Sequence, residues 1–116
     1  MFPRLPAPSI APQCSGWLFL AIGRLRIELW TCPFGHSIPA HRHPNIISRF
    51  VFLNRNLSVA RDGSNKHRPL PWVRFYTVTA AQAHGAHADR GDGWFLNFEW
   101  WTGDGKPASA TDDIEQ

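Results

Sequence analysis

The sequence predicts an all-β fold, a small antiparallel sandwich or jelly-roll barrel. Short runs rich in β-branched and aromatic residues recur at regular spacing. Turn residues separate them, drawn from ten prolines and nine glycines, which is too many for a helical bundle. No internal repeat competes with this pattern. The 116 residues make one domain, and 43% hydrophobic content rules out a wholly disordered chain. Six tryptophans and eight phenylalanines supply the burial area that a small core needs.

Residues 1–16 read as an extended, proline-rich arm, able to lie on a neighbour or on the body. Residues 17–103 form the barrel domain and residues 104–116 a polar, acidic tail. Within the domain, Trp17 to Ile22 is apolar and stops at Gly23. Arg24 to Trp30 alternates, with Leu25, Ile27 and Leu29 on one face and Arg24, Arg26 and Glu28 on the other. Pro33 and Gly35 break the chain. Ser48 to Leu53 and Leu57 to Arg61 flank Asn54, Arg55 and Asn56, which is hairpin chemistry. Asp62-Gly63 is a second turn signal, and Trp72 to Thr79 reads as a strand. Ala80 to Ala88 resists the pattern, because its alanines favour a helix. Gly91 to Gly93 then turns the chain into a last strand, Trp94 to Thr102.

The net charge of +3 hides an asymmetry. Residues 1–88 carry ten Lys/Arg against Glu28 and Asp62, and residues 89–116 carry Arg90 and Lys106 against seven acids. The arginines are scattered rather than clustered, which argues against nucleic acid as the partner. Cys14 and Cys32 form no CxxC pair and read as buried thiols of a reducing compartment. The longest apolar run, Trp17 to Ile22, is far too short to span a bilayer. The expectation is a soluble, cytoplasmic protein with no membrane contact. Other catalytic patterns are missing: there is no Gly-x-Ser-x-Gly elbow, no phosphate-cradling glycine loop, and no acid pair early in the chain for glycoside chemistry.

The informative segment runs from Gly35 to Pro44 and holds His41 and His43. Residues two apart on a strand share a face, about 7 Å apart at Cα, so two neutral imidazoles there can share a metal ion. His-x-His also arises by chance, and then it is structural. The context adds to it. Gly35, five residues, then His41-x-His43 resembles the first motif of the cupin superfamily, which continues with a glutamate and a glycine. The stretch Val51 to Gly63 is similar to the cupin hairpin that follows, with Arg55 at the usual turn glycine and Ser48 where the family has its glutamate. The second cupin motif places a further histidine after the next strand, and His84 stands there. The resemblance covers roughly residues 17 to 102. It keeps three histidines and loses the carboxylate and the turn residues.

The resemblance implies a small cupin-like jelly-roll barrel with a divalent transition metal on His41, His43 and His84. An all-imidazole set suits iron, zinc, nickel or copper, whereas a carboxylate would favour iron or manganese. The ion would serve a small-molecule dioxygenase, isomerase or lyase. If the site is degenerate it holds none, and the chain is a non-catalytic jelly roll, a structural or binding subunit of a larger assembly such as a decoration protein. Ser48 would stand beside the ligands or behind them. His87, three residues after His84, is an alternative partner if that stretch is helical. His36 and His67 read as surface residues. Glu99 could replace the lost carboxylate only if its face lines the cavity. The alternating Trp94, Leu96, Phe98 and Trp100 read either as core or as the lining of a cavity for an apolar ligand, with Asn97 and Trp101 facing out. A homo-oligomer, or docking through the N-terminal arm, is the expected association.

Overall fold

The computed structural model describes residues 2–62, 64–72 and 74–115, the side chain of Ser64 apart. Gly63 of the Asp62-Gly63 turn, Val73 of the Trp72 to Thr79 run, and the end residues of arm and tail lie outside the described residues.

Ten strands follow one another along the chain. They are β1 (Arg4–Leu5), β2 (Ser15–Ile22), β3 (Leu25–Cys32), β4 (Ser37–His41) and β5 (Ile46–Phe52), then β6 (Leu57–Arg61), β7 (Ser64–His67), β8 (Tyr76–Val78), β9 (His84–Ala88) and β10 (Gly93–Trp101). They form two antiparallel sheets, one in the order β1-β2-β3-β10-β5-β8 and the other β4-β9-β6-β7. Among the described residues there is no helix, and so none long and apolar enough to cross a membrane. β2 and β3 are joined by the two-residue loop Gly23-Arg24, whose first position is a glycine at φ 55°, where a Cβ would be strained.

The core lies between the sheets. Trp30, Phe50, Phe52 and Phe95 come from the larger sheet, and Leu57, Val59 and Ala88 from the smaller. Phe50, Phe52, Phe95 and Tyr76 meet one another at ring-centroid distances of 5.6 to 6.4 Å, inside the range of favourable aromatic pairs. Gly93 lies so close to the Leu57 side chain that no Cβ fits there.

Two expectations change. The runs on either side of Asn54 to Asn56 do not pair as a hairpin: β5 belongs to the larger sheet and β6 to the smaller. The segment is a corner between sheets, pinned by the Asn54 and Asn56 amides, which donate to the Asp92 carbonyl at 3.0 and 2.9 Å. Ala80 to Ala88 holds no helix. Its second half is β9, sandwiched between β4 and β6, so sheet hydrogen bonding overrides alanine propensity. The acidic C-terminal segment packs in part on the body. Ser109 and Ala110 are buried, and Ala110 joins Ile46 and Trp101 in a second small core. The arm lies on its own body: β1 pairs with β2, and Ala11 and Cys14 are buried, the latter a free thiol like Cys32.

Candidate metal centre

β4 and β9 pair with His41 opposite His84, and His43 follows two residues after His41. The approach is close because of Gly85: a Cβ there would stand 2.8 Å from the Ile38 carbonyl oxygen on β4. All three rings are buried, and their centroids lie 4.4 to 5.0 Å apart. One ligand nitrogen from each falls within 4.8 Å of the others, and among the described residues this is the one such cluster of three or more His, Cys, Asp or Glu side chains.

The hydrogen bonds fix how these rings present themselves. His41 Nδ1 lies 2.7 Å from the Pro39 carbonyl oxygen, and His43 Nδ1 lies 2.8 Å from that of Asp113. A carbonyl only accepts, so both Nδ1 atoms carry the hydrogen. In neutral rings both Nε2 atoms are then bare lone pairs, and they face each other at 3.1 Å. Two lone pairs at that distance repel unless a cation or a proton stands at them. A proton is disfavoured. Burial holds His41 below the usual imidazole range; burial, then the neighbouring His41, lowers His43 to about 4; burial, then His41 and His43, lowers His84 to about 3. Buried, neutral imidazoles, two of them with the Nδ1 hydrogen pinned away from the cluster, make a donor set that suits a transition-metal ion; His84 Nδ1 is buried with no hydrogen-bond partner among the described residues.

Beside the triad is a cavity of about 90 Å³ between the sheets. Its wall is almost wholly apolar, with Ile38, Phe50, Phe52 and Phe95 prominent. Tyr76 and Asn97 also line it, and among the described residues neither Tyr76 Oη nor Asn97 Oδ1 has a hydrogen-bond partner. Burial pushes the Tyr76 phenol up, against the opposing pull of the Arg61 guanidinium over its ring. Ala110, Thr111 and Ile114 close the cavity from the C-terminal segment. Tyr76 carries no polar signature in the sequence, and the outward face assigned to Asn97 concealed that residue.

The remaining candidates fall elsewhere. The apolar series Trp94, Leu96, Phe98 and Trp100 does not line the cavity. β10 turns Phe95, Asn97, Glu99 and Trp101 inward and the aromatic series outward, leaving Trp100 47% exposed. Asn97 and Trp101, expected outside, are therefore buried. His87 is no partner of His84; on a strand, three residues apart means opposite faces, and its Nδ1 lies 2.6 Å from Ser37 Oγ. His36 and His67 are exposed. Glu99 does face inward, but it is outside the ligand cluster. Its Oε1 accepts the Ala110 N–H at 2.8 Å. Burial, and then Glu28, raises its carboxyl well above the usual range, so it is held as the neutral acid. Glu28 stays satisfied by the Trp30 indole, Arg26 Nε and Ser109 Oγ. Ser48 stands directly across from Glu99, buried, its hydroxyl without a partner among the described residues. These residues form a polar layer under the triad.

No protein-family model and no curated protein matches the chain in sequence. Solved structures do match in shape. KdgF from Halomonas sp. is 17% identical, with a TM-score of 0.68 over 77% of this chain and 81% of that one. The cupin domain of Schizosaccharomyces pombe Cnp3 is 11% identical, with a TM-score of 0.67 over 77% and 65%. The DMSP lyase DddQ from Ruegeria pomeroyi DSS-3 is 17% identical, with a TM-score of 0.67 over 84% of this chain and 50% of the lyase. The fold is the cupin double-stranded β-helix.

Proposed function

We propose that this cupin-fold chain is a metal-dependent enzyme of the lyase or isomerase class, acting on a small, mainly apolar molecule with one oxygen-bearing head. The observation that carries the reading is the pair of Nε2 lone pairs held 3.1 Å apart by hydrogen bonds on the far side of each ring. His41, His43 and His84 would hold the ion, which supplies Lewis acidity toward the head group. Three neutral nitrogens suit zinc, iron or nickel, and leave positions for water or ligand. The apolar wall takes the rest of the molecule. Tyr76 Oη, buried and without a partner among the described residues, keeps its proton and donates a hydrogen bond to the head, while Asn97 Oδ1 accepts one from it. A proton donor in the cavity favours proton-moving reactions over oxygenation, which shares the triad. One neighbour in shape is a lyase, in keeping with this class.

Elemental analysis of the purified chain tests the reading. Near-stoichiometric transition metal is expected, and His41→Ala or His84→Ala should lose it while staying folded. Metal retained by a His41→Ala/His84→Ala double variant, or none taken up by the intact protein from solutions of zinc, iron or nickel, would leave the non-catalytic subunit as the better account.

A further inference from the structure

Cys14 and Cys32 are buried, free thiols that the proposed chemistry does not use. The strand register brings them together. β2 and β3 pair Gly16 with Trp30 and Ser15 with Thr31, so one further step toward the arm sets Cys14 across from Cys32. Gly16 and Trp30 are buried, and alternation turns the two cysteines to the same side, where both join the main core cluster. Residues directly opposite on antiparallel strands stand about 4.5 to 5.5 Å apart at Cα, inside the range of about 4.4 to 6.8 Å that a disulfide spans. The two thiols also act on each other. The hydrogen bond between them, and then burial, raises Cys14; the same hydrogen bond lowers Cys32.

Their surroundings select the oxidant. Cys32 is fully buried, whereas Cys14 lines the cavity beside the triad, together with Pro8 and Ile10 of the arm. A cavity of about 90 Å³ takes a molecule of two oxygen atoms but not a peptide disulfide.

We propose that Cys14 and Cys32 are a peroxide-reactive dithiol, whose oxidation to a disulfide fastens the foot of the N-terminal arm to β3. One sulfur gives an electron pair to a peroxide oxygen. The O–O bond breaks, the departing hydroxide takes up the thiol proton as water, and a sulfenic acid remains. The second sulfur attacks the first. The S–O bond breaks, the S–S bond forms, and hydroxide leaves with the second thiol proton as another water. Two thiols thus lose two electrons and one peroxide gains them. The nearby second thiol keeps the sulfenic acid from going on to sulfinic acid, which thiols do not reduce. Because Pro8, Ile10 and Cys14 wall the cavity, the bond also fixes its arm side. The inference stands whether or not the histidines hold metal.

Hydrogen peroxide is added to the native protein until a free cysteine peptide beside it is fully oxidised; unfolding, alkylation and peptide mass mapping follow. The expected product is one pair of peptides linked through Cys14 and Cys32, lighter by two hydrogen atoms. Dithiothreitol should restore both thiols. Cys14→Ser and Cys32→Ser each leave a single thiol, which should gain oxygen and no longer recover with dithiothreitol. If those variants do not fold, amide hydrogen exchange on the wild type decides: residues 10–14 should exchange about tenfold more slowly in the oxidised chain than in the reduced one, because the cross-link suppresses opening of the arm. Two thiols that still alkylate after the treatment overturn the proposal, as do links between separate chains only, oxygen added without a bond, or unchanged exchange of the arm.

Discussion

His43 Nδ1 lies 2.8 Å from the carbonyl oxygen of Asp113, seventy residues further along the chain. The C-terminal segment thereby fixes the tautomer of a candidate ligand. It is held by Asp113, whose carboxylate accepts from the Asn45 backbone N–H at 2.7 Å and from Asn45 Nδ2 at 2.9 Å, and by the Arg42–Glu115 bridge. The same segment walls the cavity, so the wall and the ligand geometry are mechanically one piece.

Asp113→Ala removes both side-chain bonds to Asn45 and leaves the backbone carbonyl in the sequence. The loosened segment should orient His43 less well, and affinity for zinc should fall about tenfold, as it does when outer partners of metal-binding imidazoles are lost. Competition against a chelator measures this. Unchanged affinity would mean that the segment plays no part in the site.

Stability of the chelator-stripped protein should depend on pH in two opposed ways. Between pH 6.5 and about 4 the unfolded chain binds protons at His43 and His84 that the folded chain refuses. Stability is therefore lost as pH falls through that window, at about 1.4 kcal/mol per pH unit for each ring. Glu99 works the other way. The folded chain keeps a proton that the unfolded chain releases above about 4.5, so its contribution is lost as pH rises. Glu99→Gln has no proton to release, and its advantage in Tm over the wild type should grow from pH 5 to pH 9. A constant difference would mean that Glu99 is already ionised in the fold.

Gly85→Ala tests how β9 meets β4. The added methyl would stand 2.8 Å from Ile38 O and 3.1 Å from Ala40 N, both backbone atoms that cannot rotate away. The strands must separate, carrying His41 from His84. We expect a loss of about 1 to 3 kcal/mol in denaturant unfolding, the usual cost of overpacking, together with weaker zinc binding. A variant as stable as the wild type that binds zinc equally would show that the close approach is dispensable.

Much of this was legible in residue order. Alternation and turn residues suffice for an all-β chain, and the resemblance of the Gly35, His41 and His43 spacing and of the place of His84 to the cupin motifs implied the triad. Other features were hidden for definite reasons. The alanines of the β9 region carry helix propensity, yet two flanking strands outweigh it. Asn54 to Asn56 has hairpin chemistry, but the same residues serve a corner when the strands after and before it find better partners. Tyr76 and Asn97 are ordinary strand residues until two sheets enclose them.

The sequence by itself determined that this chain is built of short strands and that β3 and β10 each have two unlike faces. Only the tertiary structure decided which face is inside. On β10 the inward set is Phe95, Asn97, Glu99 and Trp101, not the more uniformly apolar Trp94, Leu96, Phe98 and Trp100. A period of two separates the faces but carries no sign. The sign comes from what each face can pair with: Glu99 finds the Ala110 amide and Glu28 finds Ser109, both from the far end of the chain, while Trp30, two residues along the same strand, adds its indole to Glu28.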